Sequence, residues 1–369
     1  MCAPLFVHPA PPFVLPDRLA AVTAAARAWQ DPDFPTRAEA VVSTLGAPNR
    51  FTEEAMAYAI NHQMHQLGSP KKLAAWIEPV QSTAPALPVS VGIAAEGAVP
   101  LDALRAMMGV WLAGHAPVVR LSATSPHLLR AFAETIAAEA GSASAEPITF
   151  AVDDAHLLTP STALIASGDA DTCASWTERG AETGLDSERV LLHPRGTTVA
   201  VIDGTEDFEE RVALAEDVLL HEGLSPANVA LLWAPVGLDP DPYFEAFSGF
   251  RQVMPAHPDT DGVLEMPRAF LKAADLPYAW GDGVLVSRGA PDVQQPGHLR
   301  WSEYETPDAV QSWIAAHRAG LHGVVAASRV TERLRIAPDL HIAPGEAHRE
   351  RLCSAADRAL IDFLARLGG

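Results

Sequence analysis

Few residues of this chain could do chemistry, and they are scattered. Residues 221–229 read HEGLSPANV, placing a serine four residues after a histidine. One arrangement such a stretch allows is Ser225 as nucleophile with His221 as base, since a hydroxyl attacks only when a neighbouring base takes its proton. The glycine that would complete a G-x-S-x-G elbow is absent, and Pro226 follows the serine, which spoils that strand-to-helix turn. A loop serine is the plainer reading. Cys173 falls in an expected helix with no lysine or histidine beside it in sequence. A buried structural thiol is therefore expected there, not a reactive one. His62 and His65 stand i,i+3 on one helix, near enough for one metal ion, but no third ligand follows, so a solvated face is expected and no metal site. In ASGDADT, residues 166–172, a strand ends at Gly168 and a helix begins at Asp171 or Thr172. Backbone N–H groups at such a turn bind phosphate, whereas Asp169 and Asp171 would repel it.

Composition narrows the function classes. The 46 acidic residues outnumber the 26 basic ones, for a net charge of −20. A nucleic-acid or anionic-membrane binder needs a positive field, so neither partner is expected. The only lysines are Lys71, Lys72 and Lys272, leaving arginine to carry almost all positive charge. Cys2, Cys173 and Cys353 form neither a disulfide framework nor a zinc-ligand spacing. No run of about 18 apolar residues suggests a membrane span. The opening MCAPLFVHPAPPFVLP is broken by prolines and lacks a basic n-region, so a cytoplasmic protein is expected.

The elements that must position these residues follow from periodicity and punctuation. Alanine-rich helical patterns fill the first part: DRLAAVTAAARAWQ with Asp17 as N-cap, NRFTEEAMAYAINHQMHQL with Thr52 as N-cap, and SPKKLAAWIEP. From Val89, strand and helix patterns alternate: VSVGIAAEG, HAPVVRLSA, PITFAV, TALIASG, RVLLHP, TTVAVIDG and ANVALLWAP are strands separated mainly by helical runs. That alternation predicts a doubly wound, mostly parallel sheet. Beyond Pro235 the sequence is looser, and VLVSRG, HLRWSEY and HGVVAASR predict a second, smaller sheet. AADRALIDFLARLGG predicts an amphipathic terminal helix.

Taken in order, these segments resemble the acyl-CoA reductase family of the bioluminescence fatty-acid reductase type, a branch of the aldehyde dehydrogenase superfamily. NRFTEEAMAYAI and KKLAAWI look like its helical beginning, and VGIAAEGAVPLDALRAMMGVWLAGHAPVVRLSA is similar to the stretch from an A-G-N-x-P turn to a K-L-S segment. ALIASGDADT is similar to the cofactor-side A-T-G-S turn, HPRGTTVAVIDGTED to the R-x-x-S-x-A-V segment, and GEAHRERLCSAADRALIDFL to a degraded copy of the family's ending. The resemblance implies an α/β, aldehyde-dehydrogenase-like fold. It divides into a helical region over 1–85 packed on the first lobe, a Rossmann-like cofactor lobe over 86–219, a smaller catalytic-type lobe over 220–340, and a segment over 341–369 returning to the cofactor lobe.

The resemblance also implies NADPH-dependent reduction of a fatty acyl-CoA thioester to the aldehyde. A cysteine thiolate would take the acyl group, while an asparagine amide and a backbone N–H would hold the oxyanion. Arg120 and Ser122 would match the K-L-S segment, Ser167 and Gly168 the turn, and Arg195 a family arginine, so these five are the expected cofactor contacts. The two decisive positions depart from the family. Its loop reads G-L-G-C-R-N-V where this chain has G-L-S-P-A-N-V, so Pro226 stands in place of the cysteine; Ala98 stands in place of the oxyanion asparagine. Proline offers no nucleophilic atom and no N–H. The alternative is a non-catalytic paralogue binding acyl-CoA, a nucleotide or a partner subunit, with a homo-oligomer as a further expectation.

Overall fold

The computed structural model describes residues 15–81, 88–141 and 147–367. The proline-broken opening through residue 14, with Cys2, lies outside the described residues, as do 82–87 of the loop before the first strand. Four helices lead: α1 (Leu15–Ala28), α2 (Pro35–Leu45), α3 (Glu53–Leu67) and α4 (Pro70–Gln81). Thr52 caps α3 by accepting the Ala55 N–H, and Glu53 and Glu54 favour the positive end of its dipole. Asp17 sits inside the first turn of α1 and does not cap it, because the helix already begins at Leu15. No apolar periodicity announces α2, whose buried side chains are Arg37, Ala40 and Thr44, while Val42 is exposed. An apolar stripe is missing there.

A five-stranded sheet follows, built from β1 (Ser90–Ala94), α5 (Leu104–Leu112), β2 (Ala116–Arg120), α6 (Leu128–Ala140), β3 (Thr149–Ala151), α7 (Asp154–Leu158), β4 (Ala163–Gly168), α8 (Ala170–Glu182) and β5 (Val190–Pro194). Its order is β3-β2-β1-β4-β5, all parallel. Val91, Ile93 and Ala94 of β1 are all buried, as expected of a strand covered by helices on both faces. Strand order reverses between β1 and β4, and such a reversal opens a crevice at the strands' carboxyl ends.

The second sheet comprises β6 (Thr197–Val201), α9 (Phe208–Leu219), β7 (Val229–Pro235), α10 (Asp241–Val253), α11 (Thr260–Ala273), β8 (Tyr278–Gly281), β9 (Val284–Arg288), β10 (His298–Tyr304), α12 (Pro307–His317), β11 (Leu321–Val325), α13 (Ser328–Leu334) and β12 (His341–Ile342). Its seven strands run β12-β11-β6-β7-β10-β9-β8, with β8 antiparallel to β9 and the other pairs parallel. Two sequence expectations change here. The second sheet is the larger, not the smaller. The chain also changes sheets between Pro194 and Thr197, not after residue 219: β6 follows β5 with no crossover helix, so the two cannot be parallel neighbours. Of the prolines that made the stretch beyond Pro235 look loose, Pro240 and Pro242 stand at the start of α10, where a missing N–H costs nothing, whereas Pro267 lies inside α11.

The terminal α14 (Ala355–Leu367) packs on α4 and α5. There Leu360, Phe363 and Leu364 join a core with Trp29, Trp76, Trp111 and Phe132. No helix of the described residues is long and apolar enough to cross a membrane. Because Phe363 is fully enclosed in that core, Phe363→Ala is expected to lower stability by about 3–5 kcal/mol, read as a fall in urea midpoint at constant slope. A loss below about 1 kcal/mol would show that α14 is not integral to the first core.

Candidate functional site

A cavity of about 340 Å³ opens where the ends of β1, β4 and β5 face the second lobe. Ala98, Ser167, Gly168, Arg195 and Pro226 all line it. A second cavity, of about 210 Å³, shares Val99, Asp102, Arg105, Pro226, His322 and Glu350 with the first. It adds Ser225, His62, His221 and His348 to the wall. The Pro226 loop, the Ser167–Gly168 turn, Ala98 and Arg195, read separately from the sequence, therefore meet at one place.

Arg120 and Ser122 do not line either cavity. Arg120 Nε lies 2.6 Å from Asp154 Oδ1 as an ion pair, and its guanidinium lies over Trp176, 5.8 Å from the ring centroid. Ser122 Oγ donates to the Glu96 carbonyl at 2.9 Å and meets Thr124 Oγ1 at 2.8 Å. One residue is tied to a neighbouring carboxylate, and the other pins the turn after β1.

The loop carrying Pro226 is shaped by three consecutive left-handed residues: His221 at φ 56, Glu222 at φ 57 and Gly223 at φ 71. Such a run is strained for residues with side chains, so the surroundings must hold it. A Cβ on Gly223 would lie 2.5 Å from the Gly297 nitrogen, which leaves room for glycine alone. Glu222 is buried and bonded by Arg251 at 2.8 Å and by Thr260 Oγ1 at 2.5 Å. Asn228 then buckles the loop: its Nδ2 donates to the carbonyls of Leu220, Val218 and Asp217 at 2.7, 3.1 and 3.2 Å. Its Oδ1 accepts the Ser225 N–H at 2.9 Å.

Within this loop the chemistry is sparse. Ser225 Oγ accepts the Ala227 N–H at 3.1 Å, and His221 Nδ1 has no partner among the described residues. Ser225 and His221 form no hydrogen bond with each other among the described residues, so the serine–base pair that the sequence allowed is not assembled. The Pro226 carbonyl accepts Thr198 Oγ1 at 2.8 Å, tying the loop to β6. Neither Cys173 nor Cys353 lines either of these two cavities. Cys173 is buried in α8 with its thiol 3.5 Å from the Gly168 carbonyl, and burial, with Glu96 and Asp169 nearby, pushes that thiol up. Cys353 is exposed.

On the side of Ala98, the turn after β1 turns its donors inward. The Gly97 N–H donates to Asp102 Oδ2 at 2.9 Å, and the Ala98 N–H also faces that carboxyl. Asp102 is open to both cavities on one side and packed by protein on the others. This enclosure raises its carboxyl above the usual range, against the lowering effect of the two N–H groups and Arg195. Arg105 lines the same cavities, bonding Asp357 at 3.0 Å and the carbonyls of Glu350 and Arg351. These contacts span some 245 to 252 residues, so no local spacing could have announced Asp102, Arg105, Glu350, His322 or His348 together.

Five histidines surround the cavities. Burial lowers His221 to about 4 and His348 to about 3, with their rings edge-to-face at 5.5 Å. His62, His193 and His322 are also held below the ordinary value, chiefly by the protein packed around them. His62 Nε2 meets the Glu350 carbonyl at 3.0 Å, while His65 Nδ1 bonds the Asn61 carbonyl of its own helix at 2.7 Å. The two thus turn to different partners. Among the described residues no three histidine, cysteine or acidic groups are arranged to hold an ion.

No family model and no curated protein matches the sequence. Solved structures do match in shape. A NAD-dependent benzaldehyde dehydrogenase from Corynebacterium glutamicum superposes with a TM-score of 0.68 at 13% identity, covering 95% of this chain and 84% of that one. A salicylaldehyde dehydrogenase from Pseudomonas putida G7, complexed with salicylaldehyde, gives 0.65 at 11% identity, covering 90% and 78%. A succinic semialdehyde dehydrogenase from Streptococcus pyogenes, in complex with NADP+ as the cofactor, gives 0.66 at 12%, covering 89% and 82%. The chain has the aldehyde dehydrogenase fold.

The buried imidazole of His221 makes a pH prediction. In the unfolded chain it protonates near 6.5, whereas the native protein refuses the proton until about 4. Its contribution to stability is therefore present above 6.5 and is lost as pH falls towards 4. His221→Asn keeps a side chain that tolerates left-handed backbone but cannot titrate. Urea unfolding between these pH values should show a shallower loss of stability for the variant, by about one proton. An unchanged slope would refute the assignment.

Proposed function

We propose that this chain is a non-catalytic relative of the acyl-CoA reductases, using the aldehyde dehydrogenase fold to hold an apolar, acyl-chain-bearing small molecule without reducing it. The observation that carries this reading is the wall of the joined cavities, where Pro226 stands on the loop and no thiol is present among the described residues. Thioester reduction through an acyl-enzyme needs a sulfur that attacks and leaves near neutral pH. It also needs donors aimed at the oxyanion. Ala98 has no amide side chain, and the Gly97 and Ala98 N–H groups already face Asp102.

What the cleft retains suits binding. Ile93, Ala103, Ala106, Ile165 and Leu360 give the larger cavity apolar walls. A cleft of this kind, with a few fixed polar groups, is the usual form of a small-molecule site. The reductase reading is favoured by the order of sequence segments but lacks its nucleophile.

Purified protein supplied with NADPH and dodecanoyl-CoA is expected to show no loss of nicotinamide absorbance, while dodecanal gives saturable heat in calorimetry. Turnover would refute the reading, and so would absence of dodecanal binding. A Pro226→Cys/Ala98→Asn variant offered dodecanoyl p-nitrophenyl ester should become acylated. The new thiolate attacks the ester carbonyl, the C–O bond breaks, and p-nitrophenolate leaves. Intact mass would show one added acyl group, absent from the parent protein; a failure to acylate would place the loop away from the acyl carbon.

A further inference from the structure

The fold brings with it the expectation of a nicotinamide dinucleotide, which one of the matching structures contains. In doubly wound sheets such a ligand lies in the crevice where strand order reverses, with its diphosphate against a helix N-terminus. Here that crevice lies between the ends of β1 and β4, and the helix is α8. Its residues can be tested against the charge they would have to receive.

They do not fit it. Asp169 is the N-cap of α8, and its Oδ1 accepts the Thr172 N–H at 2.7 Å. Asp171 stands in the first turn. The positive end of the helix is therefore already answered by two carboxylates of the chain itself. Hydrogen bonds from Thr172 hold the Asp169 carboxyl below its usual range, so it is charged at neutral pH.

The other side of the crevice carries an ion pair. Glu96, which follows β1, bonds the guanidinium of Arg195, which follows β5. The pair rests on the end of β4: a Cβ built on Gly168 would lie 2.6 Å from Glu96 Oε1, and the Arg195 N–H donates to the Gly168 carbonyl at 2.6 Å. Arg195 is thus paired with Glu96, while Arg120 shares the single carboxylate of Asp154 with Arg179. Glu96, Asp169 and Asp171 would all stand near a diphosphate with Arg195 already paired, and like charges in a partly enclosed site repel strongly.

We propose that the switch-point crevice is closed to nicotinamide dinucleotides, because the Glu96–Arg195 pair bars it and Asp169 fills the phosphate seat at α8. The cavity lined by Ser167, Gly168 and Arg195 takes ligands that carry no diphosphate. This goes beyond the absence of a thiol, since it concerns binding alone and holds whether or not any reaction occurs.

The test is a gain of binding. NADPH is titrated into the full-length protein and followed by energy transfer from tryptophan to the nicotinamide ring. The parent protein should show no saturation up to about 1 mM. A Glu96→Gln/Asp169→Ser/Asp171→Asn variant removes three carboxylates, frees Arg195 and keeps a serine able to cap α8. It should bind NADPH at least about tenfold more tightly. Glu96→Gln alone, which leaves the cap untouched, should show part of that gain and serves if the triple variant does not fold. Micromolar binding of NADPH by the parent would overturn the proposal, as would variants with parental melting temperatures that gain nothing. Dodecanal titrated into the same samples reports separately on the cavity, so a failure of the acyl-chain reading would show there and leave the NADPH result intact.

Discussion

Parallel neighbours need a crossover of about a dozen residues or more, and between β5 and β6 the chain supplies only Arg195 and Gly196. The chain has to leave the first sheet at that point and start another. Everything at the cleft depends on this crossing. It brings Arg195 to the end of β4, where its N–H reaches the Gly168 carbonyl. It also presses the two backbones together, since a Cβ on Gly196 would lie 2.5 Å from the His322 nitrogen on β11. The joined cavities are the space left beside this contact, walled by the turn after β1 on one side and the Pro226 loop on the other.

The regular parts of this arrangement were legible in the sequence because they are driven by burial. Strands such as β1 and β7, apolar almost throughout, could only be covered on both faces, and helices between them implied parallel pairing. Where burial is carried by polar side chains, as with Arg37 and Thr44 of α2, periodicity is silent. The site divides the same way. Ala98, Ser167, Gly168, Arg195 and Pro226 sit at strand ends and turns, which order and punctuation locate. Arg120 also stands at a strand end, yet its partner Asp154 lies 34 residues on, and no pattern says that the pair will form. The wall made by Asp102, Arg105, His322, His348 and Glu350 exists only through tertiary contacts between distant segments.

A site prepared for acyl transfer keeps donors and cations pointed at charge that has yet to develop. This cleft directs them at its own groups. The N–H groups of the turn face Asp102, Arg195 faces Glu96, and Arg105 binds the segment running from Glu350 to Asp357. The result is a joint in which the strand ends, the loop and α14 brace one another. Its histidines are neutral at physiological pH, so they add hydrogen-bonding surface without positive charge.

The strain in the Pro226 loop separates its shape from its chemistry. Left-handed backbone at His221 and Glu222 costs on the order of 1–3 kcal/mol per residue. Glu222 is also buried, a further cost that holds only while Arg251 and Thr260 stay in place. A loop serving merely to connect α9 to β7 could relax and shed both costs. Here the strained path is fixed four ways: by the Glu222 pair, by the close approach of Gly297, by the Thr198 bond to the Pro226 carbonyl, and by the Asn228 buckle. What these bonds hold constant is the position of the Ser225–Pro226 segment on the cavity wall. The path therefore does not need a nucleophile to account for it. Closing the smaller cavity against the turn after β1 is a sufficient physical reason, and a proline, already restricted in φ, suits a wall better than a thiol does.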